Sequence, residues 1–397
     1  MFSLLRSGLE AGTTQTTQNE YRAMNRHRSA GSTSWAAVAL LLLCPRLALG
    51  QSAPTQPPDS NSLQPGANIP PAPDPIPATV DPEKEIHPFT SARGGDAKSL
   101  FFNPDLGHMS PRADYRAYWI APQKVQGQQT NLGFVREDLS LIHPIYQDSS
   151  NEWSSAFHLG NELFQTAAVL PATGQAFPRD LWNIQLSTTY RHLFENGWIA
   201  GGSVSVGSAS DQPFHSYSEM TIGLNGFLRL PQGEHNAWLF TLSYANTSQV
   251  PFPLPGVAFV WQPAENFRMH LGLPFQVMYR PIDDLTLDFS YMLLTTMHAK
   301  ATYRLLPKLH VYTAFDWSNE GYFLADRANR RDRLFYYDKR FSGGVKYLWS
   351  EHLSLDLATG YDFDRFWFLG QHYSDRNVNR LDVGSGVFLS FQVQARW

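Results

Sequence analysis

At 397 residues the chain has the length of two soluble domains, but its composition belongs to another class. Aromatic residues make up 14% and charged residues only 17%, below the usual quarter. A net charge of -4 gives no sign of a nucleic-acid partner, and a mean hydropathy of -0.31 is too polar for a bundle of membrane helices.

Residues 1–50 read as an export signal with a long front. Met24-Asn-Arg-His-Arg28 supplies a basic start, and Met24 is a candidate initiator. Trp35 to Cys44 is an apolar core of about ten residues, too short to cross a bilayer as a helix. Ala48-Leu-Gly50 is a small-x-small cleavage pattern, so Gln51 is the expected mature start. Cys44 is the only cysteine, and Leu43 before it is not the small residue that lipid attachment requires. Removal of the signal would leave no thiol for a disulfide, a nucleophile or a metal. Residues 51–112 form an expected disordered linker. Eleven of the 27 prolines fall within 51–90, which favours an extended, semi-rigid spacer.

From residue 113 to 397 the pattern changes to period-2 alternation, the signature of strands with one apolar face. Trp182, Ile184, Leu186, Thr188 and Tyr190 alternate with Asn183, Gln185, Ser187 and Thr189; Leu285, Leu287, Phe289 and Tyr291 alternate with Thr286, Asp288 and Ser290. The expected strands cover 114–122, 131–146, 153–165, 181–193, 198–209, 216–230, 236–247 and 256–262. They continue through 267–273, 276–280, 285–293, 297–305, 309–318, 333–349, 353–368 and 383–397. Tight polar turns such as Asp148-Ser-Ser-Asn151, Pro231-Gln-Gly-Glu234 and Leu306-Pro-Lys308 fall on one side, and longer loops on the other. Tryptophans stand where strands meet turns: Trp153, Trp198, Trp238, Trp261 and Trp349. Long and short connections on opposite sides, with aromatic girdles, are features of a membrane barrel. The fold expected is all-β, a transmembrane antiparallel up-and-down β-barrel of about 14–16 strands. The short segments around 256–280 leave a count of 12 open.

The last strand alternates Val387, Leu389, Phe391, Val393, Ala395 and Trp397 with Phe388, Ser390, Gln392 and Gln394. It resembles the closing strand of bacterial outer-membrane barrels, in which a terminal aromatic after alternating apolar residues belongs to the assembly signal. That resemblance implies assembly roles for Leu389, Phe391, Val393 and Trp397. A second likeness lies inside the barrel region. It is carried by Pro253-Leu-Pro-Gly-Val-Ala-Phe-Val-Trp261, Leu271-Gly-Leu-Pro-Phe275, Tyr279-Arg-Pro281 and the run Thr295 to Arg304. This region resembles an uncharacterised family of bacterial outer-membrane barrel domains, which implies a location and a fold but no activity.

Hairpin registers counted from the turns place charged residues on the inner face. Arg304 is expected opposite His310, His298 opposite Asp316 and Lys346 opposite Asp356; Asp288 is expected opposite Thr302, diagonal to Lys300. Opposite charges on neighbouring strands fill a barrel interior or line a pore. Ser290, His298 and Asp316 are the residue types of a serine hydrolase on three successive strands. The counted register sets Ser290 diagonal to His298, too far for proton transfer, and no nucleophile elbow surrounds it, so no enzyme is expected. His158, His192, His215 and His270 lack metal-ligand spacing, and neither metal nor cofactor is expected. Arg327, Arg330, Arg331 and Arg333 read as a solvated basic loop, with contact to anionic surface glycolipid as the alternative. The expected role is a porin-like passive channel or envelope protein of the outer membrane; a plugged structural or binding barrel is the alternative, and a lipid hydrolase a distant third. Its expected partners are outer-membrane lipid, the assembly machinery and small solutes.

Overall fold

The computed structural model describes residues 106–250, 252–292 and 296–397. The expected signal and cleavage site, Cys44 and the linker up to residue 105 lie outside the described residues. The strands are β1 (Arg112–Lys124), β2 (Asn131–Gln147), β3 (Asn151–Gln165), β4 (Asp180–Leu193), β5 (Ile199–Ser210), β6 (Met220–Gln232), β7 (Asn236–Ala245), β8 (Leu254–Ala264) and β9 (Phe267–Gly272). They continue as β10 (Phe275–Ile282), β11 (Leu285–Met292), β12 (Thr296–Leu306), β13 (Leu309–Tyr322), β14 (Arg333–Leu348), β15 (Leu353–Gly370), β16 (Arg380–Val383) and β17 (Gly386–Arg396).

Successive strands pair antiparallel from β1 to β15; β15 pairs with β17 and β17 with β1, so the sheet closes on itself. The four-residue β16 pairs with the loop-side end of β15 and continues the line of β17 across Gly384 and Ser385. Seventeen segments less this shared position make a barrel of sixteen strands. Counts of 14 or 12 are too low because the short strands β8, β9 and β10 each pair on both sides. The turns at one end are all short, and Arg112 and Arg396 face each other there across the seam. The other end carries the longer loops but also two short links, of two residues between β9 and β10 and three between β11 and β12, so short connections are not confined to one side as expected. The wall is uneven: β9, β10 and β11 have 6, 8 and 8 residues, whereas β13, β14 and β15 have 14, 16 and 18.

Alternation sorts the side chains between the two faces. Leu186, Val206, Leu224, Leu242, Phe341 and Leu357 are exposed on the outer face, while their strand neighbours point inward. Trp153, Trp198, Trp238, Trp261, Trp349 and Trp397 are all at least 40% exposed and form an outward girdle at the turn end.

The interior is filled at both ends. Towards the loops, Phe134 on β2 meets Tyr336 on β14 at 5.9 Å, and Phe164 on β3 meets Trp367 on β15 at 5.4 Å. Each pair sits four strands apart around the wall, about 19 Å at ~4.8 Å per strand. Such contacts therefore run across the lumen. Leu170 and Phe177, from the loop between β3 and β4, join the same cluster. Towards the turns, Ile199, Phe227, Leu239 and Val260 form a second inward cluster, and Leu106 is buried in it. Gly107 turns the chain out of that cluster at φ +81°; a Cβ there would lie 2.5 Å from the Asp148 carbonyl oxygen.

Candidate functional site

Beneath the loop-side aromatic cluster lies a layer of buried charges. Arg136 on β2 is its hub. Its guanidinium grips Asp138 in a bidentate pair, at 2.6 and 3.1 Å, and reaches Glu320 on β13 at 2.7 Å and Glu162 on β3 at 3.5 Å. The Tyr322 hydroxyl donates to Glu162 across the same gap at 2.9 Å. Arg340 on β14 pairs with Asp338 at 3.0 Å. Arg365 stands 3.7 Å from Asp362, and neither side chain reaches solvent. For Arg136, pairing and hydrogen bonding offset the cost of holding a charge this far from water. The β2–β3 register sets Arg136 opposite Glu162, but hairpin registers could not reveal the contacts Arg136–Glu320 and Tyr322–Glu162, because β13 neighbours neither β2 nor β3. One signal was present: Arg136 and Asp138 are two apart on one strand, hence on the same face.

The residues singled out from the sequence sit lower on the inner face. Lys346 faces Asp356, but its ammonium reaches Gln394 at 3.2 Å, while Asp356 accepts from the Tyr312 hydroxyl at 2.7 Å. The Lys300 ammonium lies 3.8 Å from the centre of the Tyr312 ring. His310 is buried between Arg304 and Lys346 in register, and Arg304 is paired with Asp284 at 2.7 Å. Two details of the loop between β13 and β14 differ from expectation. Arg327 and Arg333 are buried rather than solvated. Arg327 donates to the Ser218 carbonyl at 2.6 Å, and Arg333 to that of Asn246 at 2.9 Å, whereas Arg330 and Arg331 remain exposed. These guanidiniums tie loops together across the mouth.

The register between β11 and β12 also differs. Met292 faces Thr296, so Asp288 faces Lys300, not Thr302, and Ser290 stands directly opposite His298 instead of diagonal to it. The cause is the connection, which occupies 293–295 and lets β12 begin at Thr296, one residue earlier than alternation suggested. One row now crosses four adjacent strands on the inner face: Gln276 on β10, Ser290 on β11, His298 on β12 and Asp316 on β13. His298 Nδ1 is 2.7 Å from Asp316 Oδ1. Its Nε2 is buried and has no hydrogen-bond partner among the described residues. Next to the row, towards the loops, is a small cavity lined chiefly by Leu254, Pro255, Leu273, Pro274 and Met292. Gly256 lets its walls approach: a Cβ there would come within 2.5 Å of the Leu273 carbonyl oxygen. Among the described residues, no cluster of His, Cys, Asp or Glu could hold a metal ion.

Solved structures with a similar chain path are outer-membrane proteins. The COG4313 outer membrane channel from Pseudomonas putida F1 is 11% identical, with a TM-score of 0.34 over 75% of this chain and 98% of its own. The Acinetobacter baumannii outer membrane protein Omp33 is 7% identical, with a TM-score of 0.32 over 72% of this chain and 98% of its own. Pseudomonas aeruginosa OccK7 (OpdD) is 9% identical, with a TM-score of 0.32 over the same shares, 72% and 98%. Likenesses this distant add nothing to what the barrel itself shows. No curated protein matches the chain. Residues 170–381, more than half of the chain, match a domain of unknown function (DUF6268), and the chain belongs to that family.

Proposed function

We propose that this protein is an outer-membrane barrel with a closed lumen, a structural or ligand-binding envelope protein and not an open pore. The apolar outer face and its tryptophan girdle support insertion in a bilayer. Outer-membrane lipid and the barrel-assembly machinery would be its partners. A barrel of about 16 strands ordinarily encloses an aqueous channel. The observation that carries the closed reading is the contact of Arg136 with Glu320 at 2.7 Å, made between walls that are not neighbours and roofed by the Phe164–Trp367 contact.

Planar-bilayer recording of the purified, refolded chain tests this. The expected trace is flat for the native sequence. Discrete conductance steps should emerge in a Phe164→Ala, Trp367→Ala double variant. Steady porin-like current from the native protein would overturn the reading.

A further inference from the structure

The row on β10 to β13 has the order of parts that acyl transfer requires: a side-chain amide, a hydroxyl, an imidazole and a carboxylate, on four successive strands and one face. We propose that it is a hydrolytic site for small O-acyl esters, with Ser290 as nucleophile, His298 as base and Gln276 as donor to the carbonyl oxygen. Asp316 positions His298. The inference goes beyond the closed-barrel reading and does not depend on it.

Three features set this row apart from the other polar residues of the interior. First, the histidine is oriented. Its Nδ1 is 2.7 Å from Asp316 Oδ1, so in the neutral ring the proton sits on Nδ1 and Nε2 keeps its lone pair. With Asp316 on one flanking strand and Ser290 on the other, a ring held by its Nδ1 leaves Nε2 as the atom able to serve the serine. Second, the groups are confined. Gln276, Ser290 and His298 are each no more than 7% exposed, so bulk water does not compete for them. Of the other inner-face charges nearby, Lys300 lies over Tyr312, Asp356 holds the Tyr312 hydroxyl and Arg340 holds Asp338, while Asp288, two residues from Ser290, is buried opposite Lys300. Third, the row has a place for substrate. Met292, two residues beyond Ser290 on β11, and Pro274, in the link just before β10, line the apolar cavity. Leu254, Leu273 and Met292 thus offer an apolar surface beside the row, against which a short acyl chain would pack.

The chemistry balances with water as the second reactant. Ser290 Oγ bonds to the ester carbonyl carbon as its proton passes to His298 Nε2. The carbonyl π pair moves to the oxygen, where the Gln276 amide donates a hydrogen bond. Collapse breaks the bond to the alcohol oxygen, which leaves with the proton from Nε2. Water, deprotonated by Nε2, then attacks the acyl-serine. The acid departs and Ser290 regains its proton.

The test uses the full chain refolded in detergent, with folding confirmed by heat-modifiable migration on gels. A fluorophosphonate probe should label the native protein, and peptide mapping should place the adduct on Ser290. Labelling should vanish in Ser290→Ala and persist in Ser342→Ala, an inner-face serine outside the row. Hydrolysis of p-nitrophenyl butyrate should fall about a thousandfold or more in Ser290→Ala and in His298→Gln. Asp316→Asn should lower kcat with little change in KM, and Asp316→Glu should restore part of it, which a merely structural carboxylate would not do. Absence of both label and turnover in the folded native protein would overturn the proposal. So would labelling that survives Ser290→Ala, or turnover indifferent to His298→Gln. Bilayer conductance reads the closed-barrel proposal separately, so each can fail alone.

Discussion

Arg136 shows how much one side chain can decide inside a barrel. Its guanidinium is the shared cation of Asp138, Glu162 and Glu320, which come from three strands. Removing it leaves three buried carboxylates facing one another without their common cation. Breaking a buried ion pair by deleting one partner costs about 3–5 kcal/mol. Arg136→Met, which keeps most of the volume, should therefore lower the urea midpoint of the refolded barrel by a comparable free energy. Arg330→Met, at an exposed position, should leave it unchanged. Equal midpoints for native protein and Arg136→Met would show that the charge layer contributes nothing net. Lys346 and Asp356 face each other in register, yet Lys346 turns to Gln394 and Asp356 to Tyr312. Strand register fixes which residues are neighbours, but a long side chain chooses among several acceptors once all walls are present.

At the scale of elements, the strands were legible and the loop-side structure was not. Alternation located β2, β4, β11 and β14 to within two residues at each end. It could not foresee the short turn Tyr217–Glu219 that precedes β6, which the sequence reading merged into the strand. A capping box makes that turn: Glu219 accepts from the Ser216 N–H, and Ser216 accepts from the Ser218 N–H. Burial pushes the Glu219 carboxyl up, but the hydroxyls of Ser218 and Ser216, the Ser216 N–H and the Arg327 guanidinium together hold it below the ordinary glutamate range. A carboxyl depressed in the folded state stabilises the fold above its unfolded pKa of about 4.3 and loses that contribution as pH falls towards the lower folded value. Protease nicking between residues 211 and 219 should therefore rise as pH drops below about 4.3. In Glu219→Gln it should already be raised at neutral pH and change little on acidification. Thermolysin at neutral pH and pepsin in acid read this, each against the native protein; nicking that rises equally in both proteins would rule out Glu219 as the cause.

Closure belongs to the whole molecule. The seam pairs β1 with β17 from Arg112 opposite Arg396 to Ile120 opposite Phe388, joining segments more than 250 residues apart in sequence. Trp397 ends this seam, 60% exposed on the outer face, with its backbone N–H donating to the Pro111 carbonyl at 3.1 Å. Leu389 and Phe391 are exposed on the same face. We expect Trp397→Ser to reduce the folded, heat-modifiable protein recovered from outer membranes several-fold while export continues. Recovery equal to the native protein would exclude Trp397 from assembly.

Period-2 alternation determined from the sequence alone that the chain is a barrel, where its strands run and which residues face inward. That information is local: a strand's two faces are set by backbone geometry, and tight turns such as Leu306-Pro-Lys308 fix the pairing of adjacent strands, as in His298 opposite Asp316. Whether the interior is open could not be read in the same way. Alternation reports direction and carries no information on depth. It places Phe134 and Trp367 inward without showing whether each meets water or an aromatic ring from another wall. The tertiary structure decided that the lumen is bridged, because contacts such as Arg136–Glu320 and Tyr322–Glu162 depend on the curvature of the closed sheet and on the summed side-chain volumes of non-adjacent strands. It also decided the row from Gln276 to Asp316. A three-residue connection that begins one residue earlier moves the β11–β12 pairing by two positions, and with it brings Ser290 to His298.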